Sequence, residues 1–240
     1  MARAELGLNI DYVGTLRQGR RTRYPDPVAA ASVAERAGAS QIKAHLREDR
    51  RHIQDRDLLL LRDTVETTLN MQIAATQENQ KLAFEVKPHM VTIVPERAGE
   101  LTTESGLDIG HHREHLKKYI SGLREADIQV SLFVDPDVDQ IRGAHKVETM
   151  AVEINTGRFA DARDDIARRA ELQKIVDATR AANKLGMQVS AGHGIHYHNI
   201  QELIAVEGIS RFNVGHSIIS RALFSGLDGA VRDMIKLLER

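Results

Sequence analysis

Residues 41–53 read QIKAHLREDRRHI. As a short strand, 41–45 alternates its side chains, so Lys43 and His45 share one face while Ile42 and Ala44 take the other. Arg47, Glu48, Asp49, Arg50, Arg51 and His52 then crowd into a polar loop, and Asp55 is placed to cap a helix. Strand, polar loop and helix form the repeating unit of an α/β fold. Two bases at a strand end, with arginines behind them, suit a small anionic substrate. The plainer alternative is a solvated charged turn.

The same unit recurs in both directions. Upstream, a strand is predicted over 6–10, ending at Asn9, Asp11 and Tyr12. A polar loop with Gly14, Arg17, Arg20 and Arg21 follows, then a helix over 28–37 opened by Pro27. Downstream, helix 55–69 carries four successive leucines. It precedes strand 71–74 with Gln72, helix 77–86 and strand 90–94. Residues 96–110 lack periodicity and are expected to form a lid over a site. Helix 111–126, strand 128–134, helix 138–144 and strand 150–154 come next, with Glu153 and Asn155 at the strand end. A helical stretch over 160–185 leads to strand 188–191 and Gly192-His193-Gly194. Helix 200–205 leads to strand 211–214 and Gly215-His216-Ser217, and helices over 217–224 and 227–239 close the chain. Eight strands alternating with helices imply parallel strands, and eight such units predict a (β/α)₈ barrel with extra helices over 1–240 as one domain. An open doubly wound sheet is the alternative, but the first strand–helix turn lacks its G-x-G-x-x-G phosphate loop.

Composition narrows the function. A formal net charge of −1 argues against a general nucleic-acid or membrane binder. Aromatic residues are 4% of the chain and tryptophan is absent, which disfavours a base-stacking platform. Without cysteine there are no disulfides, thiolate metal sites or cysteine nucleophiles, as suits the cytoplasm. MARAELGLNID has no apolar signal-peptide core, and no apolar run nears the ~20 residues of a membrane helix.

Barrel active sites lie at the C-terminal ends of the strands. The strand-end residues here are Asn9, Asp11, Tyr12, Lys43, His45, Gln72, Glu153, Asn155, His193 and His216. That polar convergence points to catalysis more than to structure. The glycine turns after the seventh and eighth strands are placed to bind phosphate through backbone N–H groups. His193, His196 and His198 hint at a metal, but without matching carboxylates no metal is expected. His111, His112 and His115 read as surface residues.

NID at 9–11, TLR at 15–17, YPDP at 24–27, HLREDRRHI at 45–53, TTE at 102–104, GLD at 106–108, QVSLF at 129–133, TG at 156–157, AGHG at 191–194, YHN at 197–199 and N-x-GH at 213–216 resemble the pyridoxine 5′-phosphate synthase family. The resemblance spans nearly the whole chain. It implies a (β/α)₈ barrel, assembled as dimers into a homo-octamer, that needs no metal or organic cofactor. It implies condensation of 1-deoxy-D-xylulose 5-phosphate with 3-amino-2-oxopropyl phosphate into pyridoxine 5′-phosphate, phosphate and water. His45 and His193 match the family's acid/base histidines, and Glu153 a transition-state carboxylate. Arg47, His52 and Thr102 match contacts to the deoxyxylulose phosphate. Asn9, Arg20, Gly194, Gly215 and His216 match contacts to the amino ketone phosphate, with Asp11 and Tyr12 beside them, and 95–106 matches a closing lid.

Four strand-end positions depart from the family pattern. Gln72 stands where a catalytic glutamate is expected, Tyr12 where His is expected, Lys43 where Thr is usual and Asn155 where His is usual. An amide is no proton acceptor at working pH, so Gln72 cannot serve as a base. Either the family reaction persists with Gln72 only orienting groups, or Lys43 serves as a Schiff-base nucleophile on a phosphorylated carbonyl compound. A catalytically impaired binder of phosphorylated metabolites is the third reading. Against the Schiff base stands a plain ion pair of Lys43 with Glu153 or with a substrate phosphate.

Overall fold

The computed structural model describes residues 4–96, 103 and 105–239. Eight parallel strands close into a barrel in chain order: β1 (Glu5–Asn9), β2 (Gln41–His45), β3 (Thr68–Ile73), β4 (Met90–Ile93), β5 (Gln129–Val134), β6 (Ala151–Asn155), β7 (Gln188–Gly192) and β8 (Arg211–Val214). Between them lie α1 (Asp11–Gln18), α2 (Pro27–Arg36), α3 (Asp55–Thr64), α4 (Gln77–Val86), α5 (Ile109–Glu125) and α6 (Val138–Lys146). Next come α7 (Gly157–Ala160), α8 (Asp165–Lys184), α9 (Ile200–Ile204), α10 (His216–Ser225) and α11 (Leu227–Leu238). The expected (β/α)₈ barrel with extra helices is therefore present.

The aliphatic core lies between the strands and the helical ring. Leu6, Leu8, Ile42, Ala44, Leu69, Met71, Val152 and Ile154 alternate outward from the strands and are buried under Leu58, Leu61, Ile141 and Ala178. Of the four leucines in α3, Leu58 and Leu61 face this core while Leu59 is 38% exposed.

Three expectations need correction. Residues 11–18, predicted as loop, form α1. Gly14 looked like a loop signal, but it is a close-approach residue, because a Cβ there would sit 3.0 Å from the His52 backbone. Arg17 is accordingly buried, with its guanidinium bidentate on Asp57 at 2.8 and 2.6 Å. The stretch 160–185 is broken, because Asp164 takes an extended conformation and accepts a hydrogen bond from Ala167 N, starting α8 afresh. Helix α3 ends at Thr64, and strand β3 begins at Thr68 rather than 71. Thr102 and most of the expected lid lie outside the described residues. No helix among the described residues is long and apolar enough to cross a membrane.

Candidate active site

Barrels of this type usually fill their interior with branched aliphatic side chains. Here the filling is polar. Lys43 on β2 reaches across the barrel and pairs with Glu153 on β6, and both are almost wholly buried. Strand register sets Lys43 between Asn9 and Asn70, and sets His45 beside Gln72 one step nearer the mouth. Gly192 makes room for the pair, since a Cβ at that position would collide with the Glu153 carboxylate. Deeper in the barrel, Gln41 donates to Asn213 Oδ1 at 3.0 Å and accepts from Arg211 at 3.0 Å.

His45 is held at two points. Its backbone N–H donates to Asp11 Oδ1 at 2.7 Å, and its ring Nε2 lies 3.1 Å from Glu96 Oε1. The second Glu96 oxygen accepts the Glu48 N–H at 3.0 Å. Asp11 in turn donates its N–H to Asn9 Oδ1 at 2.9 Å, and its carboxylate, by accepting from His45, ties the end of β2 to the turn after β1. Burial pushes the Glu96 carboxyl up, but the hydrogen bonds from His45 and Glu48 and the charge of Arg47 outweigh it, leaving the group below its ordinary value. Arg47 is buried, and among the described residues its Nε has no acceptor.

His52 completes this corner. Its Nδ1 accepts the Ile53 N–H at 2.9 Å, so a neutral ring carries its hydrogen on Nε2 and is a donor there. Burial, then the neighbouring charges of His45, Arg47 and Arg51, hold it below its ordinary value despite Asp11, and so favour the neutral ring. Asp11, His45 and His52 each offer one ligand atom within 4.8 Å of the others, a grouping a cation could use. The donor set fits a metal poorly: the Nδ1 lone pair of His52 and an oxygen of Asp11 already accept backbone N–H groups.

The turns after β7 and β8 form the other side of the mouth. His193 and Gly194 both have left-handed backbone, with φ of +77° and +71°. A Cβ on Gly194 would lie 2.5 Å from Ala160 Cβ, so only glycine fits. Ser217 Oγ donates to Ile195 O at 2.8 Å and joins the two turns. Gly215 packs against Asn9, where an added Cβ would sit 3.1 Å from Asn9 Cβ, and leads into α10 at His216. The first N–H groups of a helix lack intrahelical acceptors, so this end can receive an anion. Tyr12 stands edge-on to the His216 ring at 4.8 Å. Burial and then the Asp11 charge push its phenol up, so it stays protonated and can donate.

Some candidates are already engaged elsewhere. Asn155 donates to Asp135 Oδ1 at 2.9 Å and accepts from Gly157 N at 2.9 Å, so it braces the start of α7. His196 accepts the N–H groups of His198 and Asn199 and shapes a turn rather than a metal centre. Arg20 is exposed just beyond α1, outside the hydrogen-bonded cluster. His111, His112 and His115 are exposed, as expected. Sequence reasoning missed Glu96, Asp135 and the burial of Arg17. Asp135 directly follows β5 and Glu96 lies three residues beyond β4, so the strand-end rule that selected Glu153 reaches Asp135 and, more loosely, Glu96. A separate cavity of about 340 Å³ opens at the opposite end of the barrel, lined by Gln129, Met150 and Gln188 among others. It contains no histidine.

Comparison with known proteins agrees with this layout. Solved structures share the fold: KGPDC from Streptococcus mutans superposes with a TM-score of 0.67 at 14% identity, covering 100% of this chain and 99% of that one. Among curated proteins, the pyridoxine 5′-phosphate synthase of Geotalea uraniireducens is 55% identical over 98% of this chain and 99% of its own. That of Geobacter sulfurreducens is 54% identical over the same shares. The family model described as pyridoxal phosphate biosynthesis protein PdxJ matches residues 6–240. A barrel whose mouth gathers paired histidines after β2 and glycine turns after β7 and β8, with relatives this similar over their full length, belongs to the PdxJ family.

Proposed function

We propose that the chain is a pyridoxine 5′-phosphate synthase of vitamin B6 biosynthesis. It condenses 1-deoxy-D-xylulose 5-phosphate with 3-amino-2-oxopropyl phosphate and releases phosphate and water. The observation that carries this reading is the mouth itself, with two anion-ready glycine turns on one side and the His45, Arg47, His52 corner on the other. His45 and His193 move protons, and Gln72 orients groups without accepting one. Arg47, His52 and Thr102 hold the deoxyxylulose phosphate. Asn9, Arg20, Gly194, Gly215 and His216 hold the amino ketone phosphate, with Asp11 and Tyr12 supporting them. Glu153 stabilises cationic intermediates.

Lys43 enters as the buried ion-pair partner of Glu153 in the barrel interior. A Schiff-base role would require that pair to separate and the ammonium to lose its proton inside the barrel. A homo-octamer built from dimers and residence in the cytoplasm belong to the same proposal, and the exposed Leu223 and Phe224 of α10 offer an apolar face for assembly.

The test is direct. The purified chain, given both phosphorylated substrates, forms pyridoxine 5′-phosphate, and its gene rescues a pyridoxine auxotroph. No product and no rescue would reject the reading. A borohydride-stable adduct on Lys43 would replace it with Schiff-base chemistry.

A further inference from the structure

We propose that Glu96 is the positioning residue for His45, supplying the carboxylate that this site lacks at Gln72. The inference rests on the synthase reading for its catalytic consequence, but its geometry stands alone. Among the described residues, the other buried acidic groups at the mouth are already engaged. Glu153 pairs with Lys43, Asp135 accepts from Gly106 N and Asn155, and Asp11 takes the His45 backbone. Glu96 contacts the His45 ring, with 8% of its side chain exposed.

The contact decides which nitrogen of His45 carries hydrogen. An ionised carboxylate accepts and never donates, so Nε2 donates to Glu96 and the neutral ring keeps its lone pair on Nδ1. The Glu48 N–H fixes the other carboxylate oxygen, so Glu96 cannot swing away without losing two hydrogen bonds. Around the ring lie Asp11, Gln72, Glu96, His52 and Arg47. Among the described residues, Glu96 alone hydrogen-bonds a ring nitrogen of His45.

Glu96→Gln tests this with minimal change of shape. The Glu48 N–H requires an oxygen, so the new amide turns its NH₂ toward His45. Nε2 must then accept, and the hydrogen moves to Nδ1. A misplaced tautomer of a catalytic histidine is known to cost rate with little change in structure. The expected result is a fall in kcat of roughly tenfold or more, within the ~10²–10⁴ that acid–base catalysis supplies. KM stays near its original value. Glu96→Asp, which keeps the carboxylate, recovers part of the rate.

Nitrogen-15 NMR of the imidazoles gives a readout independent of turnover. His45, assigned by the loss of its signals in His45→Asn, is hydrogenated on Nε2 in the unmodified chain and on Nδ1 in Glu96→Gln. The same tautomer in both proteins overturns the proposal, whether or not the chain makes pyridoxine 5′-phosphate. So does a tautomer switch that leaves kcat unchanged. A lower KM at unchanged kcat would also overturn it, because Glu96 would then be only an internal stand-in for a substrate anion.

Discussion

The two sides of the barrel mouth are built on different principles. Beyond β7 and β8 the site is made of backbone: left-handed φ at His193 and Gly194, no space for a Cβ at Gly194, and a helix end at His216. Around β2, β3 and β6 it is made of charge: Lys43 against Glu153, and an amide at Gln72 beside His45. Backbone geometry tolerates few residue types. Charges can be exchanged in compensating sets, as long as no buried ion loses its partner. Of the four positions expected to depart from the family pattern, Lys43 and Gln72 lie on the side built from charge, whereas Tyr12 packs on His216 and Asn155 adjoins Gly192.

The sharpest way to break that comparison is to remove one charge. Lys43→Met leaves the Glu153 carboxylate buried and unpaired, and unfolding in urea is expected to show a loss of about 3–5 kcal/mol. The double variant Lys43→Met/Glu153→Leu recovers most of that stability, since a buried pair replaced by apolar groups is often neutral. It forms no pyridoxine 5′-phosphate. If the single variant is as stable as the unmodified chain, the pair is not the closed unit described here. Stable but inactive is the informative outcome for the double variant, because it places the pair's value in chemistry rather than in folding.

The backbone side is probed by Gly194→Ala. The left-handed φ and the contact with Ala160 together predict a cost of about 1–3 kcal/mol. The variant also loses its response to phosphate. The unmodified chain gains about 2.7 kcal/mol when inorganic phosphate reaches 100 times its Kd, as any ligand of the native state does. An unchanged phosphate response in Gly194→Ala would remove this turn from the anion site.

The sequence made the barrel legible because its signal is periodic. Strands such as 41–45 alternate apolar and polar residues, and helices such as 77–86 begin at a capping residue, Thr76. Where glycine has two meanings, reading failed: Gly14 lies within α1 because it must approach His52, not because the chain turns. Strand-end polarity revealed Lys43, His45, Glu153 and His193. It could not reveal that Asn155 is committed to Asp135, or that Glu96 grips His45, since those are contacts between segments far apart in sequence. Charge pairing across the barrel was foreseen for Lys43 only as one of two alternatives.

The smallest effect concerns pH, and it lies in the charged corner. His52 has its folded value lowered, first by burial and then by His45, Arg47 and Arg51, against the opposing pull of Asp11. In the unfolded chain a histidine titrates near ~6.5. Below that pH the unfolded state binds a proton that the folded state resists, so folding loses stability as pH falls. The contribution is fully present above about pH 6.5 and declines from there down to the lowered folded value. Glu96 has the same sign but acts lower, in the acid range of carboxylates, because its folded value is also depressed. Urea unfolding between pH 7 and pH 5.5 therefore isolates the histidine window. His52→Asn keeps an acceptor for the Ile53 N–H, which His52 Nδ1 now receives at 2.9 Å, but has nothing to titrate. It is expected to flatten the decline in that window while leaving the fold intact. An equal slope in both proteins would place the titrating group elsewhere, with His89 and His196, also lowered by burial, as the next to substitute.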